Sequence, residues 1–197
     1  MLPSTHINLD KARALIVDDN AQALDLLATV LSSFGLRNLV RKSNGEEAQE
    51  ELKSRPVDLI LTDANMPDMD GYDLVRWLRR NGDETSRMTP AIIVTAHTPR
   101  SHVEKARDCG ANFIVAKPIS PAVIMERILW VARADRMFIE TELYVGPDRR
   151  WRNAGPPVEF PDGRRRDDKP ISLGDAEGQN MSQEELDMLI KPQRSLA

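Results

Sequence analysis

The sequence predicts an α/β fold, a five-stranded doubly wound parallel sheet followed by a mostly disordered C-terminal tail. Three observations predict it. Through residue 136, short runs rich in Ile, Val and Leu alternate strictly with longer segments of helical period, and right-handed crossovers turn that order into a parallel sheet covered on both faces. The segments VDLILT and AIIVT are almost wholly apolar, as central strands buried on both sides require. Beyond residue 136, Pro and Gly bunch in GPDRRWRNAGPPVEFPDGRRRDDKP, and no apolar period returns until the C-terminal segment.

The first strand falls at residues 13–17 and ends in Asp18-Asp19; a helix over 21–34 follows and stops at Gly35. The second strand, NLVRK at 38–42, carries the polar residues of a sheet edge. A helix over 45–54 leads to the third strand, 57–62, which delivers Asp63, and the next helix covers 72–81. The fourth strand, 91–95, ends in Thr95, and its helix over 100–109 stops at Gly110. The fifth strand, 112–116, precedes Lys117-Pro118. The last helix opens with Ser120 as N-cap and Pro121 as first helical residue. Its helical pattern runs through Ile139 and on toward Tyr144, about 24 residues or roughly 36 Å. That is longer than the sheet needs, so Met137, Phe138, Ile139 and Leu143 call for another surface, either a self-dimer through this helix or a docking site for the tail. The expected boundaries are a domain over 1–136 with its last helix extending toward 144, a linker over 145–180 and a short amphipathic helix over 181–192.

Composition narrows the function. The 197 residues carry 27 Lys plus Arg against 31 Asp plus Glu, and a net charge of −4 argues against DNA as a partner held by bulk electrostatics. The one cysteine, Cys109, cannot form an intrachain disulfide and is expected in the core without chemistry of its own. The N-terminal segment lacks a basic region followed by an apolar stretch, and no run approaches the roughly 18 apolar residues of a membrane span. A cytoplasmic protein with no membrane partner is expected.

Ligands of such sheets bind outside the carboxyl ends of the strands. Those ends supply Asp18, Asp19 and Asp63, the Thr95 hydroxyl and the Lys117 ammonium to one crevice. Three unpaired carboxylates in a partly dry cleft repel one another, and a divalent cation relieves them. An all-oxygen donor set points to Mg²⁺, which keeps several waters and recruits a phosphoryl oxygen. A carboxylate beside Mg²⁺ is also a competent nucleophile toward phosphorus, with Lys117 and Thr95 taking the remaining phosphoryl oxygens.

These residues resemble the receiver domain of bacterial two-component response regulators over about residues 11–134. The resemblance is carried by LIVDDN, by DANMPDMDG from Asp63 to Gly71, by VTA ending at Ala96, by the CGAN turn and by the KP pair. It implies a flavodoxin-like sheet of order 2-1-3-4-5 and Asp63 as phosphoacceptor. It also implies Asp19, Asp63 and the backbone carbonyl of Asn65 as direct Mg²⁺ ligands, with Asp18 acting through water. Thr95 and Lys117 would hold the phosphoryl group, a cis bond is expected before Pro118, and a histidine kinase or phosphotransfer protein would supply the phosphate. Such a domain is a switch that catalyses only its own aspartyl phosphorylation and dephosphorylation. The reading is therefore a phosphorylation-controlled regulator of a downstream protein target, with no DNA-binding or enzymatic output domain. A metabolite phosphatase using the same nucleophile would want an acid two residues on, where Asn65 stands.

The sequence departs from the family at Ile114, where many receivers place an aromatic residue that reports the state of the threonine. Phe113 beside it should point to the opposite face of its strand. Asn65 and His97, each two residues past a site residue, are expected to flank the water of dephosphorylation, unless His97 is simply a solvent-facing loop residue.

Two tail features stand out. PDRRWR and PDGRRR place Arg149, Arg150, Arg164, Arg165 and Arg166 where they could fork phosphates, so a cyclic dinucleotide effector that ignores phosphorylation is the alternative function. A solvated linker of mixed charge and a site for an acidic protein are the other readings. In NMSQEELDMLIKP, Ser182 and Glu185 make a capping box, Met181 and Leu186 a hydrophobic staple, and Leu186, Leu189 and Ile190 share one face. MSQEELDMLI is similar to the N-terminal peptide of flagellar motor switch proteins. A helix this short needs a surface to fold on, and a linker with a root-mean-square span of about 33 Å lets it dock on its own receiver or on another.

Overall fold

The computed structural model describes residues 9–133, 137–148 and 180–190. Five parallel strands, β1 (Arg13–Val17), β2 (Asn38–Lys42), β3 (Leu59–Asp63), β4 (Ala91–Thr95) and β5 (Phe113–Ala116), stand in the order β2-β1-β3-β4-β5. The pairing is in register from Arg13 opposite Asn38 to Thr95 opposite Ala116, which brings the four site-bearing strand ends to one edge.

The twofold alternation of each strand sorts the core into two layers. Ala14, Ile16, Leu59, Leu61, Ile92, Phe113 and Val115 face α1 (Ala21–Ser33) and α5 (Pro121–Arg133). Leu15, Val17, Ile60, Ala91, Ile93 and Ile114 face α2 (Gly45–Ser54), α3 (Gly71–Asn81) and α4 (Arg100–Cys109). Side-chain caps start the helices where short polar residues precede them: Asn20 accepts from the amides of Gln22 and Ala23, Asn44 from that of Glu47, and Asp70 from that of Asp73. Gly110 closes α4 in the left-handed region, at φ +92°. Cys109 is buried as expected, and burial pushes its thiol up to about 12.

The long last helix is not formed. α5 ends at Arg133, and Phe138–Glu140 (β6) pairs antiparallel with Val145–Pro147 (β7) in a hairpin, so the helical extension toward Tyr144 is corrected. Packing explains the difference. A continued helix would carry Phe138 away from the domain. The hairpin instead lays its ring over the guanidiniums of Arg79 and Arg87, at 5.7 and 5.9 Å, and pairs Glu140 with Arg87 at 2.8 Å. Thr141 and Tyr144 close the turn, the Tyr144 carbonyl accepting from the Thr141 amide at 2.8 Å. The hairpin backbone comes so close to the α4–β5 turn that a Cβ on Gly110 would lie 2.7 Å from the Val145 carbonyl. The expected linker from residue 145 therefore begins as a strand.

The terminal helix is formed, as α6 (Gln183–Ile190), and it is docked on the domain. Its capping box has the expected geometry: the Glu185 carboxylate accepts from the Ser182 amide at 2.7 Å, and the Ser182 hydroxyl accepts from the Glu185 amide at 3.3 Å.

Candidate functional site

Because parallel strands present all their carboxyl ends on one side, Asp18, Asp63, Thr95 and Lys117 converge. Asp18 is fully buried at the end of β1, and Asp63, the last residue of β3, is 7% exposed. The Lys117 ammonium bridges them, donating to Asp63 Oδ1 and, at 2.9 Å, to Asp18 Oδ2. The other oxygen of each carboxylate is held by backbone, Asp63 Oδ2 by the Asn65 amide at 2.6 Å and Asp18 Oδ1 by the Asn20 amide at 2.9 Å. Both side chains are thus fixed with one oxygen committed to the protein and one to a cation.

The electrostatics follow from this packing. Burial pushes the Asp63 carboxyl above the usual range despite the hydrogen bonds from Lys117 and Asn65 that oppose it. Burial works against the charge on Lys117, but its hydrogen bonds to Asp63 and Asp18 prevail and raise its pKa. The pair is therefore one ammonium shared between two buried acids, with exposed Asp19 beside them in sequence. Among the described residues no cluster of three or more His, Cys, Asp or Glu stands close enough to hold a metal ion by side chains alone. The donor set is nonetheless all oxygen, with two carboxylates already gathered on a cation, which suits a hard ion that completes its coordination with backbone carbonyl and water.

Gly71 is what lets the helix after the site approach it. A Cβ there would lie 2.0 Å from the Asp63 carbonyl oxygen, while its amide donates to the Ala64 carbonyl at 3.1 Å. Thr95 is buried and turned into its own loop: its hydroxyl accepts from the His97 amide at 3.0 Å and donates to the His97 carbonyl at 3.2 Å. His97 and Asn65 are exposed at the rim, with His97 Nδ1 and Asn65 Nδ2 3.3 Å apart. The bond between Lys117 and Pro118 is cis, as expected. Ile114 faces the α4 side of β5, whereas Phe113 faces the other and packs edge-on against Trp130 at 4.9 Å.

The tail helix supplies a second cluster, on the α4, β5 and α5 face. Leu186 is fully buried in the layer that holds Val103, Ala106 and Ile114, and Met181 packs against it. Ser182 and Glu185 cap the helix from outside, and the backbone of Leu189 and Ile190 continues it. Five residues that the sequence did not single out do the polar docking. Gln183 closes the free edge of β5, accepting from the Ala116 amide at 2.8 Å and donating to the Ile114 carbonyl at 3.3 Å. Thr98 donates its amide to Asn180 at 3.1 Å and its hydroxyl to the Met181 carbonyl at 2.5 Å, and accepts from the Met181 amide at 3.0 Å. Arg127 of α5, fully buried, pairs with Asp187. One signal was present for Arg127: it interrupts the apolar face Ile124, Ile128 at helical spacing, where an arginine needs a partner. Arg149, Arg150, Arg164, Arg165 and Arg166 lie outside the described residues, and with them the nucleotide reading.

A doubly wound sheet of order 2-1-3-4-5 with paired acids, a threonine and a lysine at its carboxyl edge is the framework of a signalling receiver. Residues 14–129 match the model of the response regulator receiver domain, and the chain belongs to that family, that of two-component phosphorelay signalling. It is 34% identical over 116 residues to the chemotaxis protein CheY of Pseudomonas aeruginosa, covering 59% of this chain and 92% of that one. Among solved structures it is similar to the chemotaxis protein CheY4 of Vibrio cholerae, with a TM-score of 0.56 and 25% identity over 61% of this chain and 98% of that one. It is also similar to the receiver domain of the sensor histidine kinase PA1611 of P. aeruginosa, with a TM-score of 0.54 and 30% identity over 61% and 95% of the two chains. That receiver holds a magnesium ion in its active-site cleft. The family match stops short of the hairpin and of α6. Among the described residues no helix is long and apolar enough to cross a membrane.

Proposed function

We propose that this chain is a phosphorylation-controlled response regulator that accepts phosphate on Asp63 and regulates a protein partner. The observation that carries the reading is the Lys117 ammonium shared between Asp63 and Asp18, with the second Asp63 oxygen fixed by the Asn65 amide. Asp63 is thereby presented as a nucleophile with a cation in place for the oxygens of an incoming phosphoryl group.

Asp19, Asp63 and the Asn65 carbonyl would hold Mg²⁺ directly and Asp18 through water. The ion supplies charge neutralisation to the transferring phosphoryl group. An Asp63 oxygen attacks the phosphorus of a phosphohistidine on a histidine kinase or phosphotransfer protein; the P–O bond forms as the P–N bond breaks and the imidazole leaves. Lys117 and the Thr95 hydroxyl then bind the phosphoryl oxygens. Water later attacks the phosphorus, inorganic phosphate departs and the carboxylate returns, with Asn65 and His97 at the rim bordering that water. Beyond this cycle the chain has no catalytic turnover of its own, and it works in the cytoplasm on a protein target.

Intact mass after incubation with Mg²⁺ and a small acyl-phosphate donor tests this. Wild type should gain one phosphoryl group and Asp63→Asn none. Equal gain by both would place the chemistry elsewhere.

A further inference from the structure

The β6–β7 hairpin has one sealed edge and one open edge. The Thr141 amide donates to the Tyr144 carbonyl and the Asp148 amide to the Met137 carbonyl, both at 2.8 Å. With Ile139 opposite Gly146, the backbone groups of residues 137, 139 and 141 therefore face β7, and those of Phe138 and Glu140 face outward. On the β7 side the outward groups belong to Val145 and Pro147, and the domain closes that edge. The Val145 carbonyl lies against Gly110, Pro147 has no N–H, and its carbonyl accepts from the Tyr144 hydroxyl at 2.7 Å. On the β6 side, no hydrogen bond among the described residues uses the outward N–H and C=O groups of Phe138 and Glu140.

Nothing blunts this open edge. β6 carries no lysine, proline or bulge to discourage pairing, and its one charge, Glu140, is neutralised by Arg87 at 2.8 Å. Met137 and Leu143, 60% and 66% exposed, stand beside it as two of the most open large apolar side chains among the described residues. Phe138 and Glu140 are directed at Arg79 and Arg87, so strand alternation puts Met137 and Ile139 on the opposite face. Neither belongs to a core layer of the domain.

We infer that this edge is a self-association surface, occupied by a second copy of the chain paired antiparallel through β6 about a twofold axis at Ile139. Under that axis Phe138 exchanges both backbone hydrogen bonds with the second copy's Glu140, and every outward group of both edges finds its partner. The two Ile139 side chains then face each other at a position with about 4.5 Å between Cα atoms, and Met137 opposes Thr141. Charge agrees with this register. Each Glu140 comes beside the other copy's Phe138, whose ring lies over Arg87, so each carboxylate meets a guanidinium from the other copy. An isolated two-stranded hairpin is marginal in water, and the pairing merges two of them into one sheet. The contact is small and makes a weak dimer. It sits by the 3₁₀ turn Ser86–Met88 and the α4–β5 turn, at the amino edge of the receiver sheet, so Asp63 stays open at the carboxyl edge in both copies.

The test uses the full chain. Sedimentation velocity from about 10 µM to 1 mM, the range in which weak interfaces associate, should show monomer passing into dimer. Ile139→Lys sets two like charges face to face and should stay monomeric throughout, with a melting temperature within about 2 °C of wild type because the position lies outside the core. Ile139→Cys places two thiols at a separation that a disulfide spans and should give a covalent dimer under mild oxidation. Met137→Cys, at a more exposed position, should not, since two residues from the axis on each strand leave its thiols about 14 Å apart. The native Cys109 is buried and adds no background. A chain that stays monomeric at the highest concentration overturns the inference, and so does a dimer that survives Ile139→Lys. Equal cross-linking of the two cysteine variants overturns the register and the twofold pairing with it. A monomer whose Phe138 and Glu140 amides are nevertheless protected from hydrogen exchange assigns the edge to the chain's own segment after Asp148, against a second copy.

Discussion

Arg127 and Asp187 pair across sixty residues of chain, and the guanidinium in that pair is wholly shielded from water. Elsewhere in a protein, removing one partner of such a pair costs about 3–5 kcal/mol, because the other charge is stranded. If loss of the pair undocks the short α6, Arg127 regains its water and that cost is avoided. Asp187→Asn should therefore leave the main thermal transition of the domain within about 2 °C of wild type while Met181 loses its amide protection. The double variant Arg127→Met, Asp187→Leu replaces the pair with apolar contact and should restore that protection. Calorimetry and hydrogen exchange check both, and a large fall in the domain transition with Asp187→Asn would show that α6 is part of the folding unit.

Arg79 has no such escape. It is buried with no carboxylate partner among the described residues, donating to the carbonyls of Arg87 and Thr89 at 2.7 Å each, to that of Gly110 at 3.0 Å and to Asn112 at 3.3 Å, and burial lowers its pKa to about 10. These bonds tie the 3₁₀ turn Ser86–Met88 and the α4–β5 turn to α3, and the Phe138 ring covers the guanidinium. Arg79→Met strands four acceptors at once and should cost about 3–5 kcal/mol, read as a fall in melting temperature of about 10 °C or more. Arg79→Lys should recover only part of it, since an ammonium cannot match the spread of the guanidinium fork.

Most of this framework was legible in the sequence because it rests on local signals. Strand alternation and the acids at strand ends are written in adjacent residues, and so is the Ser182–Glu185 capping box. The hairpin was not, because Phe138 and Ile139 continue a helical period and are turned into a strand only by Arg79 and Arg87, about fifty to sixty residues earlier. Thr98 and Gln183 were missed for a related reason: each is an ordinary polar residue until the chain folds back and sets Thr98 against Asn180 and Met181, and Gln183 against the edge of β5. Ile114 reads in the sequence as a missing aromatic, and only the structure shows Leu186 sharing its layer.

Magnesium should compete for the oxygens that Lys117 now bridges. If Asp19, Asp63 and the Asn65 carbonyl bind it, a concentration ten times the dissociation constant adds about 1.4 kcal/mol to stability, since the unfolded chain has no such site. The melting temperature should rise by about 3–5 °C on adding Mg²⁺, and by the same amount after every further tenfold step. In Asp63→Asn and Asp19→Asn the rise should shrink to near zero. Calcium, which tolerates looser geometry, serves as the comparison ion. A shift that persists in both variants would place the ion elsewhere.

Ile114 and Leu186 offer the sharpest test of how the tail and the receiver fit. Ile114 is 3% exposed with α6 in place, in the same buried layer as Leu186, Val103 and Ala106. Ile114→Tyr adds a ring to a packed layer, which costs about 1–3 kcal/mol when the surroundings cannot move. α4 and β5 belong to the sandwiched sheet and its helix layer, whereas α6 is an eight-residue segment seated on its outer face, so the ring should evict α6 before it disturbs the domain. The expected signature is a near-normal melting temperature with loss of Met181 protection. Truncating the opposing residue should make room: Ile114→Tyr combined with Leu186→Ala should recover protection that neither variant alone retains in full. Independent packing would instead make the two losses additive, and a double-mutant cycle on the Met181 exchange rate separates the cases.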